Sequence, residues 1–260
     1  MTEIMAHKKQ LILELGDIAS AKILDYGCGA GDFIELFLSE SRQPKEIYAV
    51  DSSKEMIEKI QIRFANYIEK GIVIPRVCSN PTELYDTQFD RIICHNVLEC
   101  VKDKPEFINS FNRLLIPQGI FLLSHHDFDS AIYNSNYKKL TRELIHHFAD
   151  TQQSWQKHCD GQMGRKIPGL VEASLFKDNA NFKTWRIVER EFQTGNYGFI
   201  MANMITEVAK TTFDDQTLKT WGTDLTLKNQ IGEYYFAIDL VLAVLVKEAN
   251  LMISQVERME

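Results

Sequence analysis

Three observations predict that this 260-residue chain folds as an α/β protein with a doubly wound, seven-stranded, mostly parallel sheet. Short apolar runs alternate with helix-period patterns through the first half. A glycine-rich turn lies between the first run and the first helix, and an acidic residue closes the second run. The runs are apolar almost throughout, as strands covered on both faces must be.

The first strand is read at Lys22–Tyr26, and a helix at Asp32–Ser41 carries Phe33, Ile34, Phe37 and Leu38 at helical spacing. Ile47–Val50 is the second strand. Ser53–Glu69 follows as a helix with Met56, Ile57, Ile60, Phe64 and Ile68 on one face, and Ser52 with Glu55 has the form of a capping box. Ile72–Val77, Phe89–Cys94 and Ile120–Ser124 are the next strands. Pro105 opens the helix between the last two, and Ile116-Pro117-Gln118-Gly119 reads as a turn. After Ser124 the rhythm breaks. Residues 125–180 read as a polar, partly helical lid, and 195–232 as a second helical insertion. The last two strands are placed at 182–193 and 234–247. No Gly, Ser or Pro linker interrupts the chain, so 1–260 is expected to be a single domain with a cofactor-binding core at 20–125.

Composition narrows the function. Hydrophobic residues make up 45% and charged residues 25%, as in ordinary globular proteins. A net charge of −7 disfavours a nucleic-acid partner, which usually demands a basic surplus. Five cysteines show no CxxC pair or zinc-ligand spacing, so no metal is expected and the thiols read as free in a reducing compartment. The N-terminal stretch alternates apolar and charged residues, unlike a signal peptide. The longest apolar stretch, Tyr234–Val246, contains Asp239 and is too short for a membrane span. A cytoplasmic setting without membrane contact is therefore expected.

The chemistry concentrates in Asp25-Tyr26-Gly27-Cys28-Gly29-Ala30-Gly31. A glycine turn before a helix N-terminus lets backbone approach a ligand and supplies free N–H groups. Asp51, at the end of the second strand, overhangs the same cleft and can accept hydrogen bonds from ribose hydroxyls. The spacing G-x-G-x-G is one residue shorter than the dinucleotide fingerprint G-x-G-x-x-G.

ILDYGCGAG resembles the first motif of the class I S-adenosylmethionine-dependent methyltransferases. YAVDSSKEM is similar to their second-strand motif, FDRIICHNVLE to the fourth strand and its loop, and LLIPQGIFLLS to the helix, turn and fifth strand. Within that class the chain is similar to small-molecule methyltransferase domains of the ubiquinone and menaquinone biosynthesis type. The resemblance implies a Rossmann-like methyltransferase fold, S-adenosyl-L-methionine as cofactor and S-adenosyl-L-homocysteine as its product. It places Gly27, Cys28 and Gly29 beside the methionine end of the cofactor, Asp51 at the ribose and Met56 against adenine. Asp25, two residues before the first glycine, would meet a cationic or hydroxylated ligand, and Ser52, next to Asp51, is a further cofactor-binding candidate. Cys94 and His95 fall where the family touches the methionine moiety. The family's adenine-reading pair after the third strand is replaced by Asn80 and Pro81, and Pro81 has no N–H to donate.

Ligands of such sheets bind at the carboxyl ends of the strands, so the two insertions are expected to roof the site. The roughly twenty residues before the first strand are too few for the helical lid that many relatives carry. Methyl transfer needs a base only where the acceptor starts protonated. His125 and His126 leave the fifth strand at the right place for that role. Asp127, Tyr133, Arg165 and Tyr234 are candidates for acceptor binding, and Trp155 could join Tyr133 in an aromatic wall. The expected partners are a small-molecule acceptor and, at most, a second copy of the chain as a homodimer. Two rival readings remain, a nicotinamide-dependent oxidoreductase on a similar sheet and a catalytically inactive cofactor-binding scaffold.

Overall fold

A computed structural model describes residues 3–151, 158 and 161–249 of the chain. Its strands are β1 (Lys22–Tyr26), β2 (Glu46–Asp51), β3 (Val73–Val77), β4 (Phe89–His95), β5 (Leu115–Tyr133), β6 (Ala180–Glu189) and β7 (Phe236–Val246). They form one sheet of order β3-β2-β1-β4-β5-β7-β6. The first five strands run parallel, and β7 is antiparallel to both β5 and β6. The order reverses between β1 and β4, and that switch point opens the crevice in which ligands of such sheets bind.

Helices cover both faces. On one lie α1 (Glu3–Leu13), α2 (Asp32–Ser39), α3 (Lys54–Arg63), α6 (Lys138–Asp150), α8 (Tyr197–Ala209) and α9 (Asp215–Gln230), through Leu11, Phe37, Ile60, Phe148, Ile205 and Trp221. On the other lie α5 (Lys104–Leu114) and α7 (Met163–Glu172), whose Phe111, Ile167 and Val171 share a core with Phe121 of β5. Asp103 caps α5, its carboxylate accepting from the Glu106 N–H at 3.1 Å, and Pro105 sits in the first turn, where a missing N–H costs nothing. Among the described residues no helix is long and apolar enough to cross a membrane.

Four local features differ from the sequence reading. The expected helix Ser53–Glu69 breaks at Phe64, so that α3 is followed by the short α4 (Ala65–Glu69). The cap of α3 is Ser53 rather than Ser52, its hydroxyl accepting from the Met56 N–H. The N-terminal residues form α1, packed on α2 and tied to it by Lys8–Asp32 at 2.6 Å.

The largest difference is β5, which runs to Tyr133 instead of stopping at Ser124. His125, His126 and Asp127 pair with Val241, Leu240 and Asp239 of β7, so this polar run is strand and not the start of a lid. The turn residue Gln118, at φ 63°, bulges out of the same strand. Among the described residues, α6, α7 and a 3₁₀ turn at Lys177–Asn179 then remain of the first insertion, and α7 packs on the sheet beside α5. Gly164 makes that close approach feasible, because a Cβ there would lie 2.9 Å from Asp127 Cβ and 3.0 Å from the His125 carbonyl. Trp155 lies outside the described residues.

Candidate functional site

The loops after β1, β2 and β4 meet at the switch point. Gly27 and Cys28 donate their N–H groups to the Val50 carbonyl at 2.8 and 2.9 Å, folding the turn back over β2. Asp51 fastens the other side, one oxygen accepting from the Gly29 N–H at 3.0 Å and the other from the Ser53 N–H at 2.8 Å. A carboxylate offers about four lone-pair sites, so Asp51 keeps capacity for a ligand.

Two glycines here have distinct physical duties. Gly31 caps α2 at φ 90°, and a Cβ on it would fall 2.6 Å from both Ile60 and Phe64. Phe64 thus packs beneath the turn at the point where α3 ends. Gly29, at φ 51°, has nothing within 4 Å of its Cβ position, so the backbone faces open space. Asp25 lies below, 2% exposed, and its Oδ2 has no hydrogen-bond partner among the described residues. Burial, partly offset by Lys8 and reinforced by Asp51 and Asp32, raises its carboxyl to about 7. An orphaned buried carboxylate beside an open glycine backbone is an arrangement that a cationic, hydrogen-bonding ligand would complete.

A cavity of about 250 Å³ is lined by Asp32, the residue that directly follows the turn, though not by the turn residues, Asp25 or Asp51. Its walls come from α1 (Ile4, His7, Lys8, Leu11), α2 (Asp32), β6 and β7 (Ile187, Leu240) and α8 (Tyr197, Ile200), and its polar side from His95, Asn96 and His126. Leu11, Ile187 and Leu240 are buried, so the chamber is mostly apolar. Its size lies just below the roughly 300–1,000 Å³ of common ligand pockets, which suits a compact molecule. The one acid of the wall, Asp32, is neutralised by Lys8 and also lies 3.7 Å from Arg63.

His95 ends β4 with its Nδ1 2.9 Å from Ser124 Oγ. His126 stacks on Tyr197 with ring centres 4.5 Å apart. Burial pushes both imidazoles well below their ordinary value, and the neighbouring histidines and Lys8 push the same way. Both are therefore neutral at physiological pH. Among the described residues no group of three or more His, Cys, Asp or Glu could hold a metal ion.

The structure thus brings Asp25, Gly27, Cys28, Gly29, Asp51 and His95 to one crevice. Ser52 is exposed and Met56 half-buried at the start of α3. Cys94 is fully buried with its side chain in the core on the α5 face. Asn80 caps a short 3₁₀ turn at Pro81–Leu84, its Oδ1 accepting from the Thr82 N–H at 3.0 Å, while Pro81 is buried as the first residue of that turn.

The acceptor-side candidates separate. His126 lines the cavity, but His125 does not. The latter is fully buried, its Nδ1 lies 2.7 Å from the His126 carbonyl oxygen, and its Nε2 stands 3.8 Å from Glu99. Asp127 and Arg165 hold each other through a bidentate pair at 2.7 and 2.6 Å, with the Arg165 backbone N–H on the same carboxylate. Tyr133 donates to the Gly198 carbonyl at 2.8 Å, and Tyr234 is buried beside Gly198. None of Asp127, Tyr133, Arg165 and Tyr234 is in the cavity wall. Sequence reasoning missed Asn96, Tyr197 and all of α1. Asn96 directly follows a strand end at the crevice, which is the signal that could have found it.

Comparison with known proteins supplies the family. The methyltransferase domain family matches residues 19–196. A ubiquinone biosynthesis O-methyltransferase of Xanthomonas oryzae pv. oryzae is 29% identical over 145 residues, covering 52% of this chain and 57% of that protein. The chain therefore matches little more than half the length of this curated relative. Among solved structures, the YcgJ protein of Bacillus subtilis superposes with a TM-score of 0.56 at 18% identity, covering 94% of this chain and 99% of that one. A Haemonchus contortus phosphoethanolamine N-methyltransferase, in complex with phosphomonomethylethanolamine and S-adenosylhomocysteine, gives 0.56 at 14% identity, covering 94% of this chain and 53% of that one. At these identities the structural likeness concerns the fold.

Proposed function

The chain belongs to the methyltransferase domain family, and from that premise we propose that it transfers a methyl group from S-adenosyl-L-methionine to a nitrogen or oxygen of a small-molecule acceptor. The observation that carries this reading is the open Gly29 backbone with the orphaned Asp25 carboxylate, at the same strand ends as a compact, mostly apolar cavity lined by Asp32, His95 and Asn96. When bound, S-adenosylmethionine supplies an electrophilic methyl group on a cationic sulfur. Gly27, Cys28 and Gly29 give it backbone to lie against. Asp51 takes the ribose hydroxyls with its spare lone pairs, and Asp25 offsets positive charge. Ser52 and Met56 flank the adenine end. Because Pro81 lacks an N–H, that end is held by packing and by Asn80, whose Oδ1 keeps a second lone pair beside the Thr82 N–H.

The chamber aligns the acceptor and excludes water, which is most of what an in-line displacement needs. Its apolar walls and its balanced Lys8–Asp32 pair favour an acceptor without net charge. Of the two histidines that leave Ser124, His126 meets it, whereas His125 serves the strand. The described cysteines, Cys28, Cys78, Cys94 and Cys100, are free thiols, in keeping with a cytoplasmic setting. A homodimer is compatible with this reading but not needed by it. The test is release of S-adenosylhomocysteine from S-adenosylmethionine across a panel of neutral amines and phenols. Turnover on at least one supports the reading, and a protein that binds the cofactor but turns over none becomes a binding scaffold.

A further inference from the structure

Asn96 is at φ 55°, a left-handed conformation that asparagine tolerates better than most residues, immediately after β4. Its side chain bridges the two histidines of the cavity. Oδ1 accepts from the His126 backbone N–H at 2.9 Å, and since a backbone N–H can only donate, this fixes which end of the amide is oxygen. The amide nitrogen then has two hydrogens and two ring nitrogens within reach, His126 Nδ1 at 2.9 Å and His95 Nε2 at 3.2 Å. His126 Nδ1 also lies 3.2 Å from Asn96 Oδ1, but a proton on it would collide with the nearer amide hydrogen, so each ring nitrogen accepts. A neutral imidazole that accepts at one nitrogen carries its proton on the other. His95 therefore holds its proton on Nδ1, facing Ser124 Oγ at 2.9 Å. His126 holds its proton on Nε2, which makes no hydrogen bond among the described residues and belongs to a ring in the cavity wall.

We infer that Asn96 is a positioning residue that sets the tautomers of His95 and His126, so that the cavity presents the acceptor with an N–H donor at His126 Nε2 and not with a base. The donor would bind a lone pair on an uncharged acceptor, such as a carbonyl or ether oxygen beside the reacting atom. An acceptor proton is then not taken by His126: it stays on the methylated product and passes to bulk water after release. This use of the donor rests on the methyl-transfer reading, whereas the tautomers do not. The groups facing His126 are His95 from β4, His125 on β5, Lys8 and His7 from α1, Tyr197 from α8, and Asp32 across the cavity. The one carboxylate among them is already paired with Lys8.

Nitrogen-15 spectra of the imidazoles in the full-length protein test the inference. In the wild type near pH 7, His126 should show a protonated Nε2 and a bare Nδ1, and His95 the reverse. Asn96→Asp retains the acceptor for the His126 backbone N–H but removes both side-chain N–H donors. In that variant the His126 proton should move to Nδ1, and its titration should rise by about one pH unit or more, the effect of a close carboxylate. A wild-type His126 protonated at Nδ1, or a folded Asn96→Asp protein with an unchanged spectrum, overturns the inference. If the variant fails to fold, the wild-type spectrum alone decides. Calorimetry with S-adenosylhomocysteine on the same wild-type sample tests the cofactor reading separately, so failure of one does not pass for failure of the other.

Discussion

Gly29 and Gly31 stand two residues apart in the same turn, yet the structure assigns them opposite sensitivities. Alanine at either position occupies a left-handed backbone, costing about 1–2 kcal/mol. At Gly31 the added Cβ also lies 2.6 Å from Ile60 and Phe64, and overpacking of that kind costs a further ~1–3 kcal/mol. Gly31→Ala should thus lose roughly 2–5 kcal/mol of stability, and Gly29→Ala only about 1–2 kcal/mol. Binding should follow the reverse order. The Gly29 methyl projects into the open space where a ligand would meet the backbone, so affinity for S-adenosylhomocysteine should fall about tenfold or more, equivalent to ~1.4 kcal/mol. Urea unfolding and isothermal calorimetry on both variants read the two effects. A Gly29→Ala protein that binds S-adenosylhomocysteine as tightly as wild type would refute the assignment of this turn as the ligand cradle. A Gly29→Ala loss of stability larger than that of Gly31→Ala would refute the packing argument.

Two further predictions concern buried charge. Asp25 has its carboxyl raised to about 7 by burial, so the native state holds this proton more tightly than the unfolded chain, whose aspartate titrates near 3.8. Stability therefore falls as pH rises from about 4 to about 7, and above that window the cost approaches ~4 kcal/mol at 1.36 kcal/mol per unit. Asp25→Asn should unfold at higher urea than wild type at pH 8, with the advantage shrinking towards pH 4; an identical pH slope in the two proteins would count against a buried, protonated Asp25. Arg165→Ala strips both guanidinium donors from Asp127, whose side chain is only 3% exposed, and leaves it the backbone N–H of residue 165; the loss should be on the order of 2 kcal/mol. That is below the value for a fully buried pair, because the Arg165 side chain is 47% exposed. Thermal melting checks the loss, and S-adenosylhomocysteine binding should not change; a large drop in affinity would return Arg165 to the ligand site.

The parallel half of the fold was legible because its strands are apolar and their punctuation is local. The Gly27–Gly31 turn, Asp51 and the capped helix α5 each carry their signal within a few residues. The extension of β5 was not, because His125-His126-Asp127 has the polarity of a loop. These residues are buried only because β7, Asn96 and Arg165 supply partners from distant parts of the chain. The place of α1 was hidden for a similar reason. What docks it on α2 includes the Lys8–Asp32 pair, a contact across 24 residues. The misplaced cap at Ser52 is a one-residue ambiguity between adjacent serines. The acceptor side was read least well, since the cavity wall is assembled from α1, β6, β7 and α8, and α6 and α7 of the first insertion contribute nothing to it.

The central claim, that the crevice over Gly29 is an S-adenosylmethionine site, is tested most directly by equilibrium titration of the wild-type protein with S-adenosylhomocysteine and, separately, with NADH. Saturable one-to-one binding of S-adenosylhomocysteine, weakened by Asp51→Ala, with no binding of NADH, is the predicted result. Binding of NADH, or no heat from S-adenosylhomocysteine at high concentration, would contradict it.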